Sequence, residues 1–504
     1  MFYGLSRAFS FCQTNYTGVF KIIMIDFHIP HMEFMKGSFL VGGSIRDMIA
    51  GRAFRDYDLA VFKEPERFAR KLASKTSGKL VKLGKPGFEL FRVISKDISW
   101  DVSPAKGNSI EEDLMQRDFT LNAMAVSLDD NQLIDPFGGE KDIHSKIIRQ
   151  VSDHAFADDP LRMARGFRIA GELDFSIEPD TLAAISQQAH LIRSSPGERI
   201  TEELSRIFAL SESSPIIASM AKARLLFEIF PELLFLQGCA QNQHHHMDAF
   251  DHVMSAFGHM EAILNAPEDF FPGMGEALNI YLEEGADVNQ TAPSGARGRD
   301  ILKWSILLHD IGKPPTRTVG KNGAIHFYGH ESKGAEMVKK TCDRLKCSNR
   351  MKSGLSHMIQ NHLAPLFLFI SETDAKSSKS SDASKRLASR FFIKHGQTAP
   401  GLILHSTADI LAKSPVKDPR NEAFLRFARQ LIKDCFHEFL PKLKRPPILT
   451  GKDLIAEFGL EPSPLMGKAL AFVNEKSLCE DIKRPKALEL AARFIARQEL
   501  PRTK

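Results

Sequence analysis

Apolar and polar positions change rhythm along this chain. Between Gly37 and about Arg149, short apolar runs alternate with polar turns: Phe39-Leu40-Val41, Leu59-Ala60-Val61, the paired arms Phe88 to Ile94 and Ile98 to Val102, and Ala123 to Leu128. Runs this short, bounded by Gly and polar residues, predict strands, with the helix-like stretch Ser44 to Ala50 among them. After Phe156 the period turns helical almost without interruption, punctuated at Pro179, Ser195-Pro196-Gly197 and Pro231. The pattern predicts an α/β head over 37–149, a helical neck over 150–235, a second helical block over 240–413 and a helical C-terminal unit over 420–504. The start signal Thr450-Gly451-Lys452-Asp453-Leu454 lies inside that last unit, and the polar insert Thr373 to Lys385 reads as a flexible exposed loop. No internal repeat is evident.

The strand ending at Val61 begins with Asp56 and Asp58. Positions i and i+2 of a strand share a face, so the two carboxylates project together and repel. Taken alone, the pair fits an edge strand with a solvated acidic face as well as a metal site. A pair of Mg²⁺ ions, which take hard oxygen ligands and sit ~3.5–4 Å from each other in phosphoryl-transfer sites, would use it directly. The preceding residues favour the metal. Gly42-Gly43 separates an apolar strand from a helix start, where main-chain N–H groups can face a triphosphate, and Arg46 adds positive charge.

At 504 residues and 56.4 kDa the chain exceeds one ordinary core. The composition, 43% hydrophobic and 26% charged, is that of a globular protein. A net charge of +5 permits a nucleic-acid partner without demanding one, and the local cluster Lys442, Lys444 and Arg445 matters more than the total. Six scattered cysteines without a C-x-x-C pair point to a reducing cytoplasm. No run of about 18 apolar residues predicts a membrane span. Residues 1–36, rich in aromatics and methionine, fit neither a secretory signal nor a mitochondrial presequence, and a misassigned start codon explains them equally well.

With Gly42, Gly43, Arg46, Asp47, Asp56 and Asp58 in the order G-G-x-x-R-D then D-x-D, the chain resembles the class II tRNA nucleotidyltransferase and bacterial poly(A) polymerase family. The resemblance implies an α+β fold with a palm-like nucleotidyltransferase α/β head, an all-α neck and further helical domains. It implies Mg²⁺ held by Asp56 and Asp58, with Asp101 on a neighbouring strand as either a third metal ligand or a satisfied surface acid. Arg117, Asp118 and Asn122 match the motif R-D-F-T-x-N-A. In physical terms Arg117 can meet phosphates, Asp118 can fix a sugar hydroxyl or a neighbouring arginine, and Asn122 can bond at a ribose edge. Relatives often carry an arginine where this chain has Gln116.

Arg162, Arg165 and Arg168 recur every third residue down one helix flank, a spacing that also suits a solvated basic face. The family resemblance makes them candidates for nucleotide binding. It assigns Asp159 and Arg162 to the Watson–Crick edge of the incoming base, with Asp158 standing where the family has Glu. Glu198, Arg199, Glu202 and Arg206 match the next motif and read as an ion-paired scaffold.

The second helical block supplies His252, His309-Asp310, His330, His362 and Asp409. A lone histidine on an apolar helix face is usually a satisfied core residue, but this set on several helices composes a divalent-metal cage. It resembles the HD phosphohydrolase superfamily. The run His244-His245-His246 reads as a solvated turn.

The resemblance, spanning about 37–500, leads to the expectation of an enzyme that adds C and/or A residues to tRNA 3′ ends from CTP and ATP, releasing pyrophosphate. Three alternatives stand beside it: a poly(A) polymerase, a metal-dependent HD phosphohydrolase with a nucleotide-sensing head, and an inactive RNA-binding relative. Only 15 residues separate Asp101 from Arg117, where full CCA-adding relatives often have a longer loop and an arginine after the strand; here Lys106 is the nearest cation. That departure leads to a narrower expectation, the CC-adding subtype.

Overall fold

The computed structural model describes residues 37–84, 89–241, 247–284, 298–321, 323–376, 381–413, 418–443, 445–480 and 482–499. The N-terminal extension 1–36, the run His244-His246 and Lys444 of the basic cluster lie outside these. By contacts the chain divides into two units. One comprises residues up to Leu210 with Pro215–Ile229; the other comprises Ser211–Ser214 and everything from Phe230 onward.

The first unit is built on β1 (Ser38–Val41), α1 (Gly43–Ile49), β2 (Asp56–Val61), α2 (Pro65–Thr76), β3 (Lys79–Leu83), β4 (Leu90–Ser95), β5 (Ile98–Pro104), α3 (Ile110–Met115), β6 (Ala125–Ser127) and β7 (Leu133–Ile134). The described strands form a seven-stranded sheet in the order β3-β4-β5-β2-β1-β6-β7. All neighbours are antiparallel except β2 and β5, which run parallel with Asp58 opposite Asp101. Leu40, Leu59, Ala60, Val93 and Val102 are buried, so the interior half of β2 anchors the sheet while Asp56 and Asp58 emerge at its first turn outward. The predicted arms form the β4–β5 hairpin. The predicted strand from Ala123 to Leu128 is realised over Ala125–Ser127, following a 3₁₀ turn at Thr120–Asn122.

The neck follows as α4 (Leu161–Leu173) and α5 (Gly197–Phe208), packed on each other. Met163, Ala164, Phe167 and Ala170 of α4, and Ile200, Leu204 and Ile207 of α5, are buried. Gly166 lets α4 lie close against Phe119, since a Cβ there would lie 2.8 Å from that ring.

In the second unit α6 (Ala249–Asn265), α7 (Gly298–Leu308), α8 (His330–Arg344), α9 (Asn349–Asn361) and α10 (Ala399–Lys413) pack around a common interior. The polar insert corrects the expectation of a loop. Ala364–Lys376 and Ser381–His395 are helices, leaving only 377–380 outside the described residues. Apolar anchors in the flanking turns, such as Phe369 against Phe424 and Phe392 against Phe439, hold these helices in place. Lys, Ala and Ser extend them at little cost. The last helices, α11 (Gly451–Phe458), α12 (Pro464–Cys479) and α13 (Arg484–Glu499), enclose a core of their own including Leu454, Val473 and Ala491. Thr450 and Asp453 form a capping box at the predicted start of α11. No helix among the described residues is long and apolar enough to cross a membrane.

Candidate active site and metal centre

Gly42 turns the chain from β1 into α1 with φ 77°, a conformation that favours glycine. A Cβ at this position would lie 3.1 Å from both Arg117 Nη1 and Asp58 Oδ2, so the glycine leaves room for a guanidinium and a carboxylate close to the backbone. The parallel register sets Asp101 beside Asp58, and Ser99 Oγ donates to Asp56 Oδ1 at 2.6 Å. Burial, with Asp101 and Asp56 adding to it, raises the Asp58 carboxyl above its ordinary value despite the opposing charges of Arg117 and Arg46. Acids gathered at a strand end, one of them disfavoured as a bare anion, are a hard-oxygen donor set that fits a divalent cation. Asp101 is differently placed. Arg92 on β4 clasps both its oxygens at 2.7 and 2.6 Å, satisfying the acid within the protein.

The next motifs are joined by hydrogen bonds into one chain of polar groups. Arg46 donates to both oxygens of Asp47 and, through Nη1, to Asn122 Oδ1 at 3.0 Å. Asn122 Nδ2 donates to Asp118 Oδ1 at 3.0 Å, and Arg165 Nη1 donates to Asp118 Oδ2 at 3.1 Å. Burial alone would raise the Asp118 carboxyl, but Arg165, Asn122 and the Phe119 N–H outweigh it and hold it below its ordinary value. Arg165 and Arg168 converge on Glu203, a buried acid of α5, and Arg168 also bonds Glu172. The arginine row is therefore not a solvated face. Each of these two guanidiniums is held by carboxylates, which removes the repulsion that the spacing suggested. Arg117, just beyond the end of α3, pairs with Asp113 of that helix.

Arg162 turns inward to the carbonyl oxygens of Arg117, Ala155 and Gln116. Asp159 is instead clasped by Arg199 of α5, Nη2 to Oδ2 at 2.9 Å and Nη1 to Oδ1 at 3.4 Å. Arg199 thus pairs across to Asp159 rather than along its own helix, whereas Arg206 and Glu202 form the expected pair along it.

In the second unit His252 (α6), His309 and Asp310 (just after α7), His330 (α8), His362 (at the end of α9) and Asp409 (α10) come together in one buried cluster. His252 Nε2 lies 2.9 Å from Asp409 Oδ1, His309 Nε2 3.1 Å from Asp310 Oδ2, and His330 Nε2 3.4 Å from His362 Nε2. The Nδ1 atoms of His309, His330 and His362 bond the carbonyls of Ile306, Phe327 and Ile359, which turns each Nε2 inward. Two sets, His252-His309-Asp310 and Asp310-His330-His362, have donor atoms within 4.8 Å of one another and share Asp310. Imidazole and carboxylate donors converging in this way fit divalent metal.

Lys313 and Lys413 neutralise the two acids, bonding Asp310 at 2.6 Å and Asp409 at 2.7 Å. Burial lowers the His309 imidazole, but the adjacent Asp310 and Asp409 more than compensate and raise it to about 9. Sequence reasoning missed both lysines, Arg92, Glu203 and the fully buried His405, whose ring lies 5.5 Å from that of His309. The His405–Asp409 spacing of one helical turn was the available signal for the last.

Residues 38–149 match the poly A polymerase head domain family model, 174–236 match the probable RNA and SrmB-binding site of polymerase A, and 279–382 match the HD domain. The chain is 29% identical over 467 residues to the A-adding tRNA nucleotidyltransferase of Deinococcus radiodurans, covering 90% of this chain and 95% of that one. It is 30% identical over 340 residues to the multifunctional CCA protein of Nitrosococcus oceani, covering 61% of this chain and 70% of that one. A solved structure of a CCA-adding enzyme in an apo form superimposes with a TM-score of 0.60 at 19% identity, covering 92% of this chain and 91% of that one.

Proposed function

Because the chain belongs to the class II tRNA nucleotidyltransferase and bacterial poly(A) polymerase family with an HD domain, we propose that it adds C and/or A residues to the 3′ end of tRNA from CTP and ATP. The observation that carries this is the gathering of Asp56, Asp58 and, on the paired strand, Asp101 beside the glycine turn at Gly42, with the charges of Arg117 and Arg46 acting on Asp58. In the reaction the RNA 3′-hydroxyl oxygen bonds to the α-phosphorus, the bond from that phosphorus to the β-bridging oxygen breaks, and the hydroxyl proton is lost as pyrophosphate leaves. Enzymes of this family depend on divalent metal, and Mg²⁺ held by Asp56 and Asp58 would activate the hydroxyl and offset the charge of the leaving pyrophosphate.

The chain's own residues do the positioning. Gly42 and Gly43 let backbone N–H groups approach the triphosphate, and Arg117 and Arg46 balance its charge. Asn122 and Asp118, fixed by Arg46 and Arg165, face the ribose. Asp159 reads the base edge, joined by Arg162 if its guanidinium exchanges the backbone carbonyls it now bonds for the base, and Arg168 with Glu203 braces the helix that carries Arg162. Asp101, already clasped by Arg92, shapes the acidic site from its neighbouring strand.

The second unit carries a separate metal-dependent phosphoester hydrolase, a reading favoured by the converging Nε2 atoms around Asp310. The CC-adding subtype also has a supporting observation. Between β5 and α3 only Ala105–Ser109 intervene, and the N–H groups of Ala105, Lys106 and Asn108 are tied to Val61, Asp113 and Glu112. So short and tethered a segment has little reach with which to re-form the site for a second nucleotide. Incubation with labelled CTP or ATP and RNA ending at the tRNA discriminator base, at CC, or at an unrelated sequence tests these readings. CMP addition to the first RNA supports the proposal, and extension of all three by AMP would reassign the enzyme to poly(A) synthesis. Efficient AMP addition to the CC end would remove the CC-only subtype.

A further inference from the structure

The His/Asp cluster is not equally sealed on all sides. His252, His309, Asp310, His362 and Asp409 are at most 3% exposed, whereas His330 is 8% and Lys313 7% exposed. The cluster is therefore least sealed on the side of His330 and Lys313, and Phe327 and Tyr328 directly precede His330 in the chain. The Phe327 carbonyl accepts from the His330 backbone N–H at 3.2 Å and from its Nδ1 at 2.9 Å, fixing this segment to the candidate ligand. The Lys313 ammonium, while bonded to Asp310, lies over the Phe327 ring at 5.7 Å.

Tyr328 itself is 79% exposed, and its ring stacks on His326 with centroids 5.1 Å apart and planes 11° from parallel. Burial cannot account for this placement, since a ring left largely in water gives the fold little. The next two residues, Gly329 with φ 77° and His330, turn directly into α8. They separate Tyr328 from the ligand by at most ~7 Å of chain, a span comparable to the sugar between a phosphate and its base. The mouth thus presents ammonium and imidazole groups inside and a flat aromatic pair outside.

We propose that Tyr328, backed by His326, is a stacking platform for the base of a nucleotide whose phosphate ester is processed at the His/Asp cluster. The substrates of that cluster are then nucleotides rather than base-free phosphate esters. This rests on the hydrolase reading of the second unit, and the test separates the two.

The full-length protein loaded with divalent metal is given adenosine 3′-monophosphate or ribose 5-phosphate, and the ratio of their kcat/KM values is measured. The wild type favours the nucleotide. Tyr328→Ala lowers the ratio by about 5- to 150-fold, the equivalent of ~1–3 kcal/mol for one base–aromatic stack, through KM rather than kcat. Tyr328→Phe restores it. As a readout independent of hydrolysis, an 8-azidoadenine nucleotide photolabels the peptide carrying Phe327-Tyr328. An unchanged ratio in Tyr328→Ala, or no label on that peptide, overturns the platform. Labelling of that peptide with neither ester hydrolysed would keep the platform and remove the hydrolase.

Discussion

Arg199 donates through both terminal guanidinium nitrogens to Asp159, the shorter contact being 2.9 Å. Two residues 40 apart in the chain are thereby joined at the point assigned to base selection. A bidentate clamp fixes a carboxylate's orientation, which a hydrogen-bonding template for a base requires. Arg199→Ala should therefore weaken the choice between CTP and UTP as well as lower the rate, with Arg199→Lys recovering rate better than choice. Single-nucleotide incorporation kinetics read both effects. An equal loss for every nucleotide would make Arg199 a structural brace only.

Glu203 offers the clearest stability test. It is 7% exposed and accepts from Arg165 at 3.2 Å and Arg168 at 2.6 Å. Glu203→Ala leaves two inward-facing guanidiniums short of a partner, at a cost of about 3 kcal/mol, the low end for a broken buried pair because Arg165 retains some solvent. Urea unfolding measures this. A change no larger than that of an exposed ion pair, under ~1 kcal/mol, would contradict the buried bracing.

Asp118 should make stability depend on acidity. Its folded-state value lies below the ordinary 3.8, so its stabilisation is complete above that range and is lost as pH falls through the depressed value. Asp118→Asn should therefore be less stable than wild type at neutral pH, and the gap should narrow as pH drops below about 4. Thermal unfolding across that range checks the sign. A gap that widens on acidification would reverse the assignment.

The catalytic end of the head was legible because its signals are local. A strand period of two puts Asp56 and Asp58 on one face, and Gly42 marks a turn that only a residue without a Cβ fits well. The groups that hold those signals in place were not legible. Arg92 meets Asp101 only once β4 and β5 pair. Glu203 reaches Arg168 across 35 residues, and nothing in a polar-looking helix announces that one of its acids is buried. The arginine row misled for the same reason, since its spacing is visible and its partners are not. At Thr373 to Lys385, polar composition concealed helices whose anchors lie outside the stretch itself.

The shared position of Asp310 separates the candidate ligands of the second unit. Asp310→Ala should abolish bound divalent metal, while His252→Ala and His330→Ala, each drawn from one of the two sets, should reduce it in part. Nucleotide addition, which belongs to the head, should persist in all three. Elemental analysis per chain provides the readout. Full metal content in Asp310→Ala would exclude this cluster as the site.

The central claim is that Asp56 and Asp58 carry nucleotidyl transfer, and the most direct measurement is CMP incorporation into tRNA lacking its 3′ end by wild type and Asp58→Ala, alongside their melting temperatures. Burial already disfavours the Asp58 anion among its acidic neighbours, so removing it should relieve repulsion and leave the melting temperature unchanged or higher. Wild type should incorporate CMP, and Asp58→Ala, fully folded, should not. Near-normal turnover by a folded Asp58→Ala protein would contradict it.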